Sequence, residues 1–156
     1  MAELVIRKAT GDDVSQIENL EKLCFAVPWS YESLKHDINE NKLSMYIVAE
    51  LVMSDIDQVP NNIIVGYIGI WNIVDEGHIT NVAVSPKYRR QHIATIMIDT
   101  LIKSTEEAGI KRHSLEVRAG NTAAKNLYEG FGFVQAGLRK GYYEDNKEDA
   151  IIMWRG

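Results

Sequence analysis

The sequence has little cysteine: Cys24 is the only one among 156 residues. A single cysteine excludes an intramolecular disulfide and any metal site built from several thiolates. The four histidines also lack the short spacings of metal ligands, so no metal site is expected; they are His36, His78, His92 and His113. Cys24 falls on the apolar face of a predicted helix, which favours a place in the core over a role as nucleophile.

Long apolar runs and an excess of positive charge are also missing. No run approaches the roughly 20 residues needed to cross a bilayer, and the first residues do not have the pattern of a signal peptide. A cytoplasmic location without a membrane partner is therefore expected. The net charge is −5, which disfavours a nucleic-acid binder, since such proteins usually present a broad basic face. No Gly-x-Ser-x-Gly elbow is present to support a hydrolase of that class.

What remains is the composition of an ordinary globular protein, with 46% hydrophobic and 25% charged residues. The length favours one domain over residues 1–156. Apolar periodicity and turn residues predict the order β-α-α-β-β-β-α-β-α-β-β, a mixed α/β (α+β) fold with one central sheet. Residues 54–62, which are polar and acidic and contain Pro60, are predicted to form a long, mobile hairpin loop. Gly66 and Gly69, inside a predicted strand, suggest a bulge or a close backbone approach.

The central stretch is residues 80–94, where a strand end, a turn at Pro86, two arginines and the start of a helix follow one another. A helix N-terminus carries unpaired N–H groups and a partial positive charge, and both bind anions. Arg89 and Arg90 add mobile positive charge at this point. The pattern predicts a pyrophosphate site, although an ordinary strand-loop-helix connection with a solvated basic turn has the same pattern.

Glu116 is a second candidate because it interrupts an apolar strand. A buried carboxylate is costly, so it either finds a cation or favours its protonated form. A carboxyl group of the second kind can serve as a base for an amine. The alternative is a structural ion pair with Arg118 or another cation, and the residues alone leave both possibilities open.

Tyr128 is a third candidate, two helical turns after Asn121 and on the side that faces it. A phenol with the reference pKa of about 10 suits the protonation of a departing thiolate. For a lone tyrosine on a helix, however, packing into the core is the commoner role.

A family resemblance adds to these observations. Residues 82–94, VAVSPKYRRQHIA, resemble the acetyl-CoA loop of the GNAT N-acetyltransferases, whose pattern is Gln/Arg-x-x-Gly-x-Gly/Ala. His92 stands where the first Gly is usual. His92 adds a Cβ that would crowd the phosphates, unless it lies in the first helical turn, where its φ is negative and its side chain is sterically allowed.

Further motifs, C-F-x-x-P-W-S, L-E-V-R-x-x-N and A-x-x-L-Y-E-x-x-G-F, resemble the ribosomal-protein-alanine N-acetyltransferases (RimI type). The resemblance implies the GNAT acyl-CoA N-acyltransferase fold, acetyl-CoA as co-substrate and no metal. It makes Glu116 the proton acceptor and Tyr128 the proton donor. It assigns contacts with acetyl-CoA to Val82, Ala83, Val84, Arg90, Gln91, His92, Ile93, Ala94, Thr95 and Asn121.

The same resemblance implies transfer of acetyl to a protein N-terminus, with the N-terminal Ala of ribosomal protein S18 as acceptor, by direct attack in a ternary complex. Trp29, Tyr31 and Tyr142 are the predicted acceptor contacts, and the alternative is that these aromatic residues only cover a sheet edge. Two other functions stay open. One is acetylation of a small amine or a lysine side chain, and the other is an acyl-CoA-binding module without turnover.

Overall fold

The computed structural model describes residues 2–53 and 62–156. The loop predicted over residues 54–62 lies outside the described residues, except for Asn62. The strands are β1 (Ala2–Lys8), β2 (Ser44–Met53), β3 (Ile63–Ile73), β4 (Glu76–Val84), β5 (Arg112–Arg118), β6 (Val134–Arg139) and β7 (Ala150–Arg155). The helices are α1 (Val14–Cys24), α2 (Tyr31–Asn39), α3 (Ile93–Glu107) and α4 (Thr122–Gly130). The predicted order of elements is confirmed.

In the described part of the chain, the seven strands form one sheet in the order β1-β2-β3-β4-β5-β7-β6. Neighbouring strands are antiparallel except β4 and β5, which are parallel. A parallel pair requires a crossover connection, and α3 lies in the connection between β4 and β5. The sheet is therefore mixed, as predicted.

Each face of the sheet carries its own hydrophobic core. The larger core includes Met97 and Leu101 of α3 and Leu115 of β5. The smaller core includes Ile17 and Leu20 of α1 and packs on the opposite face. Side chains alternate between the two faces of a strand, so β4 and β5 contribute residues to the α3 face and to the α1 face in turn.

Three helix ends follow from local sequence. The Ser30 hydroxyl accepts a hydrogen bond from the Ser33 N–H at 3.1 Å and starts α2, and the Asn121 side chain does the same for the Ala124 N–H at the start of α4. Gly109 follows the end of α3 and has a φ of 102°. This left-handed conformation ends the helix and suits glycine.

A bulge at Thr80 disturbs β4. Gly69 pairs with Asn81 while the next residue, Ile70, pairs with Ile79, so Thr80 is the extra residue. A Cβ on Gly69 would lie 2.9 Å from the Thr80 hydroxyl and 2.9 Å from the Tyr46 ring. The prediction of a bulge or close approach at Gly69 is confirmed, and the bulge resets the direction of every β4 side chain that follows.

Candidate active site

The candidate site is a gap between β4 and β5. Within the described residues their parallel pairing runs from Glu76 and Arg112 to Ile79 and Leu115 and stops there. Beyond that point β4 still pairs with β3 on its other side. The β5-facing edge of residues 80–84 is therefore a free strand edge, which can hydrogen-bond an extended ligand arm.

The β3–β4 register decides which groups face this gap. The Ser85 N–H donates to the Val65 carbonyl at 2.7 Å, and successive N–H groups of a strand point to opposite edges. The N–H groups of Val82 and Val84 therefore face the gap. Ala83 instead faces β3, where it pairs with Tyr67, and its side chain belongs to the smaller core.

Two side chains contact the β4 backbone at the outer end of the gap. The Cys24 thiol donates to the Val84 carbonyl at 3.4 Å, and the Arg89 Nε donates to the same oxygen at 3.3 Å. Cys24 is half-buried and packs against the smaller core. Both contacts are with the Val84 carbonyl and neither involves the Val82 N–H.

The N-terminus of α3 lies next to the end of β4. The Ile96 N–H donates to the His92 carbonyl at 3.0 Å as the first helical bond. The preceding N–H groups, those of Ile93, Ala94 and Thr95, therefore have no acceptor within the helix. Arg90, Gln91 and His92 are exposed just before them. Three N–H groups, the helix dipole and Arg90 together supply what binding of an anion such as a pyrophosphate requires.

His92 does not lie in the first helical turn, so the condition under which its side chain would be sterically allowed is not met. His92 precedes the helix as its N-cap and has φ of 61°, and Arg90 has φ of 65°. The chain has to reverse direction between the 3₁₀ turn Pro86–Tyr88 and α3, and it does so through left-handed residues. This explains why glycine is usual in the acetyl-CoA loop pattern, because only glycine adopts that conformation without strain.

Glu116 lies on β5 just past the last residue paired with β4, and its side chain is 17% exposed. Its carboxylate is 3.3 Å from Arg139 Nε on β6. Burial raises the pKa of Tyr142, and a hydrogen bond to Glu116 raises it further. The structure therefore brings two predicted site residues together, and the cation beside Glu116 is Arg139 rather than Arg118.

His78 adjoins Glu116 on the same face, because it pairs across the sheet with Ser114, two residues before Glu116. Its Nδ1 lies 2.9 Å from the Ser114 hydroxyl. Burial lowers the pKa of His78, while the charge of Glu116 acts in the opposite direction. The imidazole is consequently neutral near pH 7.

Tyr128 projects from α4 into the larger core and is 8% exposed. Its ring meets the edge of Phe133 at a centroid distance of 6.0 Å. Burial, with a smaller contribution from Tyr143, raises the pKa of Tyr128 to about 12. The phenol is thus a weaker acid than the reference value of about 10 suggests, and it stays protonated at neutral pH.

Arg118 holds the β6–β7 connection against β5. It lies 3.1 Å from Asp145 and 3.3 Å from Glu148, and its guanidinium carbon is 4.0 Å from the centre of the Tyr143 ring. Tyr143 in turn meets Tyr142 edge to face at 5.1 Å. Arg118 therefore places both tyrosines beside the gap, which is a role that the sequence did not indicate.

Trp29 lies in the connection between α1 and α2, and Tyr31 is the first residue of α2. Both side chains are half-buried against the smaller core. Trp29 lines a cleft of about 620 Å³ together with Trp71 and Asp37. Asp37 is 5% exposed and accepts hydrogen bonds from Tyr46 and Trp71. The cleft lies on the sheet face of His78 and Glu116, since Trp71 pairs with His78.

Glu21 and Asn81 are site residues that the sequence interpretation missed. Glu21 is only 1% exposed, and its Oε1 accepts from the Trp29 N–H at 3.3 Å and from Asn81 Nδ2 at 2.9 Å. Burial raises the pKa of Glu21. A signal was available, because Glu21 follows Ile17 by four residues and therefore lies on the apolar face of α1.

Among residues 2–53 and 62–156, no group of three or more His, Cys, Asp or Glu side chains could hold a metal ion. No helix in these ranges is long and apolar enough to cross a membrane.

Known proteins are similar to this chain both in sequence and in structure. The pattern of the acetyltransferase (GNAT) family matches residues 14–133. The putative [ribosomal protein bS18]-alanine N-acetyltransferase of Bacillus subtilis is 36% identical over 149 residues, which are 96% of this chain and 93% of that protein.

Among solved structures, the ribosomal-protein-S18-alanine N-acetyltransferase of Escherichia coli superposes with a TM-score of 0.85 at 29% identity, covering 98% of this chain and 93% of the other. The NatC complex bound to Gag peptide and CoA superposes with a TM-score of 0.82 at 25% identity, covering 98% of each chain. The resemblance inferred from the motifs, and the fold that it implied, are confirmed.

Proposed function

Because this chain belongs to the acetyltransferase (GNAT) family, we propose that it transfers acetyl from acetyl-CoA to the α-amino group of a protein N-terminus. One observation carries the proposal. Pairing between β4 and β5 ends at Ile79 and Leu115, so the Val82 N–H and the Glu116 carboxylate lie at the gap that opens beyond this point. This is the arrangement that acyl transfer to an amine needs.

The acceptor that we propose is the N-terminal alanine of ribosomal protein bS18. The support is the sequence similarity to the Bacillus subtilis protein and the structural similarity to the Escherichia coli enzyme, whose names state this activity. Such an acceptor implies a cytoplasmic location. The cleft beside Trp29 and the exposed Tyr142 lie on the two sides from which a peptide could approach Glu116.

The residues at the start of α3 fit acetyl-CoA. The pyrophosphate is held by the N–H groups of Ile93, Ala94 and Thr95 and by Arg90, which supply the donors and positive charge that phosphates require. The acyl arm adds along the free edge of β4 at Val82 and Val84. Asn121 caps the neighbouring helix α4 and borders the gap from the β5 side.

Glu116 begins the reaction by taking a proton from the acceptor ammonium, directly or through a water molecule. The neutral amine then attacks the thioester carbon. The developing negative charge on the carbonyl oxygen is stabilised by the Val82 N–H, a fixed donor at the free strand edge. The C–S bond then breaks, the nitrogen releases its second proton to become the amide, and the CoA thiolate leaves and takes up a proton, all within the ternary complex and without a covalent enzyme intermediate.

Tyr128 is the proposed hydrogen-bond donor to the departing sulfur. With a pKa of about 12, its phenol is a poor acid towards a thiolate, since a thiol has a reference pKa of about 8.5. Its first contribution is therefore a hydrogen bond to the sulfur while charge develops there. Because the phenol is nearly always protonated at neutral pH, this donor is present throughout the cycle.

The test is mass spectrometry of protein N-termini from cells of the source organism with and without this gene. The proposal predicts that the N-terminal peptide of bS18 is acetylated only in cells that contain the protein. An unchanged acetylated fraction of that peptide would contradict the proposed acceptor.

A further inference from the structure

Glu21 is a carboxylate placed where a globular protein normally puts an apolar side chain. It is 1% exposed, and burial of an ionisable group is costly unless the group has a specific task. Within the described residues no cation lies within 4.0 Å of it. All of its hydrogen-bond donors are neutral, and they belong to two other parts of the fold.

The two donors tie the same oxygen to two different segments. One is the backbone N–H of Trp29, 3.3 Å from Oε1, in the connection that leads from α1 to α2. The other is Asn81 Nδ2 on β4, 2.9 Å from the same atom. Glu21 thus joins the segment beside the proposed acceptor cleft to the strand that holds the acetyl donor.

The position of Asn81 connects its hydrogen bond with Glu21 to the proposed reaction. Asn81 directly follows the bulge at Thr80 and directly precedes Val82, whose N–H faces the gap. Its side-chain amide is fixed twice, because Nδ2 also donates to the Tyr67 hydroxyl at 3.0 Å. The distance between the acceptor segment and the Val82 N–H therefore depends on Glu21.

The second carboxylate oxygen of Glu21, Oε2, indicates that this residue does more than stabilise the fold. It is buried and, within the described part of the chain, it has no hydrogen-bond partner of normal geometry, although the Tyr67 hydroxyl lies beside it. Replacing a set of buried, mutually bonded polar groups by apolar groups of similar volume is often neutral or stabilising. A purely structural arrangement could therefore pack apolar side chains at both Glu21 and Asn81.

We propose that Glu21 is a positioning residue for acyl transfer. It fixes the segment of residues 25–31 against β4, so that the acceptor amine is held where it can attack the thioester carbon. It acts through the Trp29 backbone and Asn81 and does not touch the reacting atoms. The inference rests on the proposed function, since it assigns residues 25–31 to the acceptor side.

The experiment compares Glu21→Leu with Glu21→Gln. Gln retains an acceptor oxygen for Trp29 and Asn81, whereas Leu removes it and keeps the buried volume. With a peptide beginning Ala-Arg-Tyr-Phe, Glu21→Leu is expected to raise KM for the peptide by about tenfold or more. The Kd for acetyl-CoA should stay within about twofold, and Glu21→Gln should recover most of the loss.

The matched control is Glu18→Gln, one turn earlier on α1, where the carboxylate is 24% exposed and lies 3.7 Å from Lys22; its KM should equal that of the wild type. Asn81→Ala supplies a second route if Glu21→Leu does not fold, because it removes the link to Glu21 from the β4 side and should also raise the peptide KM. A peptide KM within twofold of wild type for folded Glu21→Leu, or for Asn81→Ala, would overturn the positioning role. Failure of the wild-type enzyme to acetylate the peptide would instead contradict the proposed function.

Discussion

The carboxylate of Glu116 is the residue on which the proposed chemistry depends. Glu116→Gln keeps the size of the side chain and removes the base, so acetyl transfer should fall by roughly 10²–10⁴-fold. The Kd for acetyl-CoA, measured by calorimetry, should not change, because the proposed pyrophosphate site lies at the start of α3. A loss below about fivefold at neutral pH would show that another group or solvent takes the proton.

Tyr128→Phe removes a single hydroxyl from a ring that is 8% exposed. The ring packing against Phe133 is retained, so the melting temperature should change little. Turnover should fall because the departing sulfur loses its hydrogen-bond donor, whereas KM for both substrates should stay similar. Unchanged turnover per folded molecule, together with a sharply lower melting temperature, would make Tyr128 a structural residue only.

Glu21 adds a pH dependence to stability. Burial raises its pKa in the folded protein above the ordinary value of 4.5. Its contribution to the free energy of unfolding is therefore complete below pH 4.5 and is lost as the pH rises through the folded-state pKa. Glu21→Gln cannot ionise, so its melting temperature relative to wild type should increase from pH 4 towards pH 8. A constant difference across that range would contradict the raised pKa.

At the scale of elements, the start of α3 offers a direct test of backbone strain. His92 has φ of 61°, and a left-handed L-residue costs roughly 1–2 kcal/mol, partly offset because glycine loses more entropy on folding. His92→Gly should therefore be neutral or stabilise the protein by about 1 kcal/mol in thermal unfolding, and acetyl-CoA should bind equally or slightly more tightly. A large loss of acetyl-CoA affinity would mean that the His92 side chain contacts the phosphates.

The element order was predictable because it depends on local patterns. Runs rich in β-branched residues predicted the strands, and Ser30 and Asn121, which begin α2 and α4, are residue types that commonly cap a helix. The α3 boundary was less accurate, because the sequence does not reveal that the chain turns through left-handed residues at Arg90 and His92. Bulges and reversals of this kind are decided by tertiary packing rather than by residue preference.

At the scale of the whole molecule, contacts between distant residues decided what the sequence could not. Glu116 pairs with Arg139 from another strand, although Arg118 is closer in sequence. Glu21 meets Asn81, sixty residues away, only because α1 packs over β4. The motifs led to Glu116 and Tyr128 through family resemblance, but the partners of these side chains follow from the sheet order.

The chemical identity of the acceptor amine decides between the proposed function and the acetylation of lysine side chains or small amines. The purified protein should be given acetyl-CoA with a peptide beginning Ala-Arg-Tyr-Phe, and separately with the same peptide carrying a blocked N-terminus and an internal lysine. The free α-amine should be acetylated far faster than the lysine side chain. Equal or faster acetylation of the blocked lysine peptide, or of free polyamines, would contradict it.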